Sequence, residues 1–352
     1  MGTFTSILVL SFLIFFHELG HFLAARFFGV RVEVFSIGFG KKIVSKVVGQ
    51  TEYCVSLIPL GGYVQMKGQN DMDPLAISLD TDSYNTKKPW QRIIILFAGP
   101  FANFLLAFLL YIAIGLMGVT NLAPTIGAIS ENSPAQSVGL QKDDEIVQIN
   151  GAIIKTWDDV SVQIKESVGI LELKVTRHNE VKTFLIKPIM NPFQTMFGET
   201  IYKPMVGISP IGKTIITRYG IDEIFGFALL QTQKATTMIL TSLQKLVEGD
   251  IPLKELGGVI TIVKVTSDAS NAGLVILFGF IALISVNLGV LNLLPIPALD
   301  GGHMMFNLYE LLTKKAPSER VLHLMTVGGW ALLLSLTALS LYNDIYRLVG
   351  GN

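Results

Sequence analysis

The chain is almost without cysteine and short of charge. Its single cysteine, Cys54, excludes an intramolecular disulfide framework and any metal site built on clustered thiolates. Charged residues make up 15% of the 352, against about 25% in an average soluble domain. Neither sign prevails: 27 Lys and Arg balance 27 Asp and Glu, which excludes a nucleic-acid partner held by bulk positive charge. Glycine (33) and proline (14) are ordinary for this length, so the chain is neither fibrous nor disordered. What it has in excess is apolar surface, 50% hydrophobic residues at a mean hydropathy of +0.53.

The charge-free stretches show where that surplus goes. Residues 1–16 carry no charge, and the apolar run resumes at 22–25 after a polar interruption. Residues 93–130, 269–299 and 321–343 contain no Lys, Arg, Asp or Glu. A spanning helix needs about 20 apolar residues, so four spans are expected, at 4–28, 92–117, 273–295 and 323–346. The first lacks a basic flank and a small-residue cleavage site, and reads as a retained span rather than a secretory signal. Arg31, Lys41, Lys42, Lys46, Lys67, Lys87 and Lys88 lie between spans one and two, and Lys314, Lys315 and Arg320 between spans three and four. The positive-inside rule makes both segments cytoplasmic, with the long segment 119–270 and both termini outside.

Residues 31–68 alternate apolar and polar, punctuated by Gly38, Gly40, Gly49, Gly61 and Gly62, and predict several short strands joined by turns. On periodicity alone they make either a small cytoplasmic hairpin domain or a sheet dipping toward the membrane, with an edge strand free to pair with an extended peptide. Residues 69–91 read as an exposed polar loop. Residues 119–192 predict a compact β-rich unit, and 193–270 a linker with amphipathic helices, the clearest over 219–248. Span three with its broken end occupies 271–302, a cytoplasmic loop 303–322, and span four 323–348.

His17-Glu18-Leu19-Gly20-His21 carries the chemistry. Histidines at i and i+4 share one helix face, where two imidazoles can bind one zinc ion. Glu18, about 100° around the helix, can reach a water on the open metal position and take its proton. Ionisable groups inside a span are costly and usually functional. A catalytic zinc takes three protein ligands, and the third is sought in Asn292-Leu293-Leu294-Pro295-Ile296-Pro297-Ala298-Leu299-Asp300-Gly301-Gly302-His303. Two prolines break the span there, which lets Asp300 point back at the metal. His303 is a rival ligand, and Asp300 is favoured; His178 and His323 read as incidental.

Within 122–190, Ser133-Pro134-Ala135, Gly139-Leu140, Asp144, Ile149-Asn150-Gly151 and Trp157 resemble a PDZ domain of the circularly permuted bacterial type, present once. Together with His-Glu-x-x-His in span one and Asn-x-x-Pro-x-Pro-x-x-Asp-Gly at 292–301, the chain resembles the site-2 protease family, in its bacterial sigma-E-regulating branch. Gly99-Pro100 and Asn103 also match. The resemblance implies a polytopic α-helical membrane protein of four spans, with a membrane-reentrant β-sheet at 31–68 and an extracytoplasmic PDZ insertion. By position it implies one zinc per chain on His17, His21 and Asp300, Glu18 as general base, Gly61 and Gly62 on the substrate, and Asn292 contacting the substrate backbone or orienting the site. The implied activity is endoproteolysis inside the membrane-spanning segments of single-span proteins, anti-sigma factors or remnant signal peptides, after an upstream protease has trimmed them. The location it implies is the bacterial inner membrane. Known members of that branch carry tandem PDZ domains, and this chain departs from them. A non-catalytic PDZ-bearing membrane scaffold is the alternative; a transporter is disfavoured because the spans show no internal repeat.

Overall fold

The computed structural model describes residues 2–69, 78–167, 169–194 and 200–350. Residues 70–77 of the expected polar loop lie outside these. The elements run α1 (Gly2–Phe27), β1 (Val32–Val48), β2 (Thr51–Met66), α2 (Pro89–Met117), β3 (Val119–Leu122) and β4 (Ile126–Ile129). Then come α3 (Pro134–Ser137), β5 (Glu145–Ile149), β6 (Ala152–Ile153), α4 (Trp157–Lys165), β7 (Leu171–Arg177), β8 (Glu180–Ile186), β9 (Ile189–Gln194) and β10 (Thr200–Met205). The chain continues through β11 (Ile208–Pro210), β12 (Thr214–Thr217), α5 (Ile221–Glu248), α6 (Val259–Ala272), α7 (Leu274–Asn292), α8 (Asp300–Thr313) and α9 (Glu319–Leu348). Two compact units result: residues 1–114 with 223–352, and residues 115–222.

In the first unit, α1, α2, α7 and α9 are long and apolar enough to cross a bilayer. Span two begins three residues before the expected Arg92, because Pro89 is well suited to a first helical turn. Leu13, Leu106, Leu277 and Ile281 form one buried cluster between α1, α2 and α7. Asp344 of α9 is buried and accepts hydrogen bonds from the backbone N–H groups of Gly258, Ile260 and Thr261, capping the N-terminus of α6.

Residues 31–68 do not form several short strands. They form two long ones, each doubling back on the other. Residues 34–37 face 62–65 on one side and 52–55 on the other, and 44–47 then face 52–55. Two strands thus supply four ribbons of sheet, with 62–66 at one edge and 42–48 at the opposite one. Gly49 does lie in the turn between the two strands, whereas Gly38 and Gly40 are bends inside β1 and adopt positive φ, which ordinary residues avoid.

The second unit is larger than the expected 119–192. Its four-stranded sheet has the order β6-β5-β7-β8. Residues 200–217, expected as linker, contribute three further strands to this unit, in separate two-stranded sheets: β11 pairs with β4, β12 with β3 and β10 with β9. Strands β11 and β12 have partners about 80 to 100 residues upstream, and unpaired edges there would leave backbone groups unsatisfied. His178 and Asn179 both take positive φ in the two-residue turn of the β7–β8 hairpin. Ile126, Ile146, Ile149, Val160, Leu173 and Val175 fill the core. Beside it the fully buried Asp144 carboxylate accepts two hydrogen bonds from Arg177, at 2.6 and 2.7 Å.

The last departure lies after span three. Helix α7 ends at Asn292, three residues short of Pro295, and α8 occupies much of the expected loop 303–322. Asp300 in its first turn suits the positive end of the helix dipole. The turn that joins α7 to α8 lies close over the start of α8. A Cβ on Gly301 would sit 2.3 Å from the Leu294 carbonyl oxygen, and one on Gly302 2.3 Å from that of Ile296.

Candidate metal centre

Three side chains from α1 and the start of α8 converge. His17 Nε2 and His21 Nε2 are 3.2 Å apart, and Asp300 Oδ2 lies 3.3 Å from the first and 3.4 Å from the second. The two rings meet edge to face on one side of α1, as their four-residue spacing requires. Asp300 Oδ2 is buried without a hydrogen-bond partner among the described residues. For ligands about 2.0–2.1 Å from a tetrahedral zinc, simple geometry places the donor atoms about 3.3 Å apart. Two imidazoles and a carboxylate are also the donor types that a catalytic zinc takes. The residues fit the ion.

Span two packs directly behind the histidines. A Cβ on Gly20 would fall 2.1 Å from the Ala98 carbonyl oxygen, so α1 and α2 cross with backbones in contact. A Cβ on Gly99 would fall 2.2 Å from His21 Nε2. The Ile95 carbonyl accepts from His21 Nδ1 at 2.9 Å, which turns Nε2 inward. The Asn103 amide lies 3.0 Å from His17 Nδ1. Neither contact follows from the spacing of residues in the sequence, since each joins positions 74 to 86 apart.

The other expected residues are distributed around this centre. Glu18 is half-buried and faces the sheet: its Cγ lies 3.3 Å from where a Cβ on Gly62 would be. Gly62 is also closed in by Ile14 and the Ser36 carbonyl, and Gly61 by the ring of Phe39. Both glycines therefore have packing reasons of their own. Asn292 ends α7, half-buried, with no side-chain hydrogen bond among the described residues. His303 lies on α8 with its ring edge-on to Phe306, and the converging set is His17, His21 and Asp300 without it. Arg92 at the start of span two donates to Glu310 of α8 at 2.7 Å, tying the Asp300-bearing helix to span two.

Comparison with known proteins identifies the family. The model of "Peptidase family M50" matches residues 5–336. A Campylobacter jejuni protein named "Putative zinc metalloprotease" is 47% identical over 98% of this chain and 93% of its own length. A Helicobacter pylori protein of the same name is 39% identical over 98% and 99%. The "Regulator of sigma E protease" of Haemophilus influenzae is 31% identical over 99% of each chain. This chain belongs to peptidase family M50, the site-2 protease family of zinc metalloproteases.

Proposed function

We propose that the chain is an intramembrane endopeptidase, with His17, His21 and Asp300 holding one zinc and Glu18 as its general base. The observation that carries this reading is the near-equilateral triangle of 3.2, 3.3 and 3.4 Å between donor atoms, two of them on a helix apolar enough to lie in a bilayer. Zinc held there supplies Lewis acidity, lowering the pKa of water toward 7 and polarising a carbonyl. Glu18 accepts the proton of the attacking water and returns it to the departing amine nitrogen. His21, buried and anchored on Ile95, keeps its donor atom fixed while the site reacts.

The substrate is a single membrane-spanning segment, of the kind found in anti-sigma factors and remnant signal peptides, trimmed beforehand by another protease. A helical backbone carbonyl is closed off by its own hydrogen bond, so the segment must become extended before it is cut. The sheet edge at 62–66 suits that task. Among the described residues it pairs on one side only, with 32–37, and it lies beside Glu18 at Gly62. An extended segment adding there as a strand would run past the centre, with the Asn292 amide available to its backbone. The hairpin arm exposes Ile43, Val44 and Val47, 62, 64 and 67% accessible, alongside the exposed Lys41, Lys42 and Lys46, an amphipathic pattern that supports a sheet entering lipid from its basic side. An apolar cavity of about 470 Å³ lined by Leu8, Phe12, Phe15, Ile37 and Ile281 opens alongside α1.

The basic residues of 31–88 and 314–320 support a cytoplasmic location for those segments, with residues 119–270 and both termini outside and the enzyme in a bacterial inner membrane. The unit 115–222 is read as one extracytoplasmic PDZ domain. The alignment to the Haemophilus protein spans 441 positions against 352 residues here, a surplus the size of one small domain, whereas that to the Campylobacter protein spans 345.

The reading is tested by incubating the purified protein in liposomes with tagged single-span substrates. Cleavage that stops when a chelator removes one zinc per chain, and returns with zinc, is expected; cleavage indifferent to the chelator refutes it. Gly99→Ala is a second check. Its methyl group has no room beside His21 Nε2, so zinc affinity is expected to fall at least about tenfold, as for other disturbances of a ligand's setting. Unchanged zinc titration and cleavage in that variant would contradict the packing described.

A further inference from the structure

Ile95, Gly99 and Asn103 form one stripe of α2, at intervals of four, and face the two histidines. At its upper end the Ile95 carbonyl takes the His21 Nδ1–H. At its lower end Asn103 is the one group among the described residues that hydrogen-bonds His17 Nδ1, at 3.0 Å. Asn103 is fully buried. Its Nδ2 is the atom turned to His17, and its Oδ1 is buried without a partner among the described residues.

That arrangement cannot coexist with a metal on His17. A neutral imidazole that gives Nε2 to zinc carries its hydrogen on Nδ1. Nδ1–H and an amide N–H are then two donors facing each other at hydrogen-bond distance, and neither has an acceptor. Turning the carboxamide by 180° exchanges nitrogen for oxygen at the same place and removes the conflict. The residue is well held for this purpose: its own backbone carbonyl accepts from Ser285 Oγ of α7 at 2.8 Å, inside the helix cluster.

We propose that Asn103 is a positioning residue for the metal. Its amide oxygen accepts the His17 Nδ1–H, selects the tautomer that aims Nε2 at zinc, and so sets the affinity for the ion. The role complements that of the Ile95 carbonyl on His21, and one stripe of span two orients both imidazoles. This deepens the reading above and rests on His17 being a zinc ligand.

The test compares zinc binding by the full-length protein, by chelator competition, for wild type, His17→Ala, Asn103→Leu and Asn103→Asp. Leucine keeps the approximate size and removes the acceptor; aspartate keeps the acceptor. Asn103→Leu is expected to bind zinc about 10–100-fold more weakly, with cleavage regained when free zinc is raised by the same factor. Asn103→Asp is expected to bind at least as tightly as wild type to within about threefold. Equal affinity in wild type and Asn103→Leu overturns the proposal, as does Asn103→Asp binding as weakly as Asn103→Leu. Because a buried substitution can impair folding, ¹⁵N-histidine NMR of the zinc-loaded wild type gives an independent answer. A protonated Nδ1 on His17 is expected, and an unprotonated Nδ1 overturns the proposal. Wild type without zinc, or His17→Ala binding as tightly as wild type, would instead refute the underlying metal site.

Discussion

Replacing Glu18 with Gln is expected to lower the cleavage rate about 10³-fold while one zinc per chain remains bound. General acid–base assistance is worth about 10²–10⁴-fold, and each tenfold corresponds to about 1.36 kcal/mol of barrier. The amide is nearly the same size as the carboxylate, so the packing of Glu18 against Gly62 should survive. It has no basic oxygen to take a proton from water. Glu18 is not one of the three converging donors, so metal content should be indifferent to the change. Rate and zinc content, measured on the same preparation, separate the two roles. A Glu18→Gln protein that cuts at the wild-type rate removes Glu18 from the chemistry.

Asp300→Ala is expected to do the reverse and remove the metal with the activity. The carboxylate contributes one of three donor atoms, and its Oδ2 has no hydrogen-bond partner among the described residues to compensate for loss of the ion. Partners that merely orient a ligand account for about 10–100-fold in affinity, so losing a ligand should weaken binding more than about 100-fold. The fold should suffer little. Asp300 adds about 0.3–1 kcal/mol as an acid at a helix N-terminus, and Arg92–Glu310 still holds α8 to span two. The metal-free melting temperatures of the two proteins should therefore agree to within a few degrees. Tight stoichiometric zinc in Asp300→Ala would mean that another group supplies the third donor, with His303 the next imidazole on that helix.

What could be read from the sequence follows the range of each interaction. The four apolar helices were legible because length and lack of charge are properties of a contiguous stretch. So was the shared face of His17 and His21, since four residues on one helix bring side chains together whatever surrounds them. Asp300 is 279 positions beyond His21, and only its setting pointed to it: two prolines in an apolar run, followed directly by an acid. Interactions without a local signal were missed. Strands β11 and β12 are three and four residues long and owe their existence to partners far upstream. Helix α8 begins with two glycines, which local propensity assigns to a loop; the close approach of the 293–297 turn requires them. The doubled pairing of β1 and β2 likewise depends on bends inside strands that alternation reads as ends. Asn103 was recognisable as a polar residue in a span, but its acceptor role depends on which way His17 faces.

We propose hydrolysis inside the membrane-spanning segment, at a zinc held by His17, His21 and Asp300. The most direct measurement is mass-spectrometric mapping of the bond cut in a single-span substrate in liposomes, with wild type and Glu18→Gln side by side. A cut within the apolar segment, made by wild type alone and abolished by chelator, is the predicted result. A cut confined to the flanking water-exposed residues, or one that Glu18→Gln makes equally well, would contradict it.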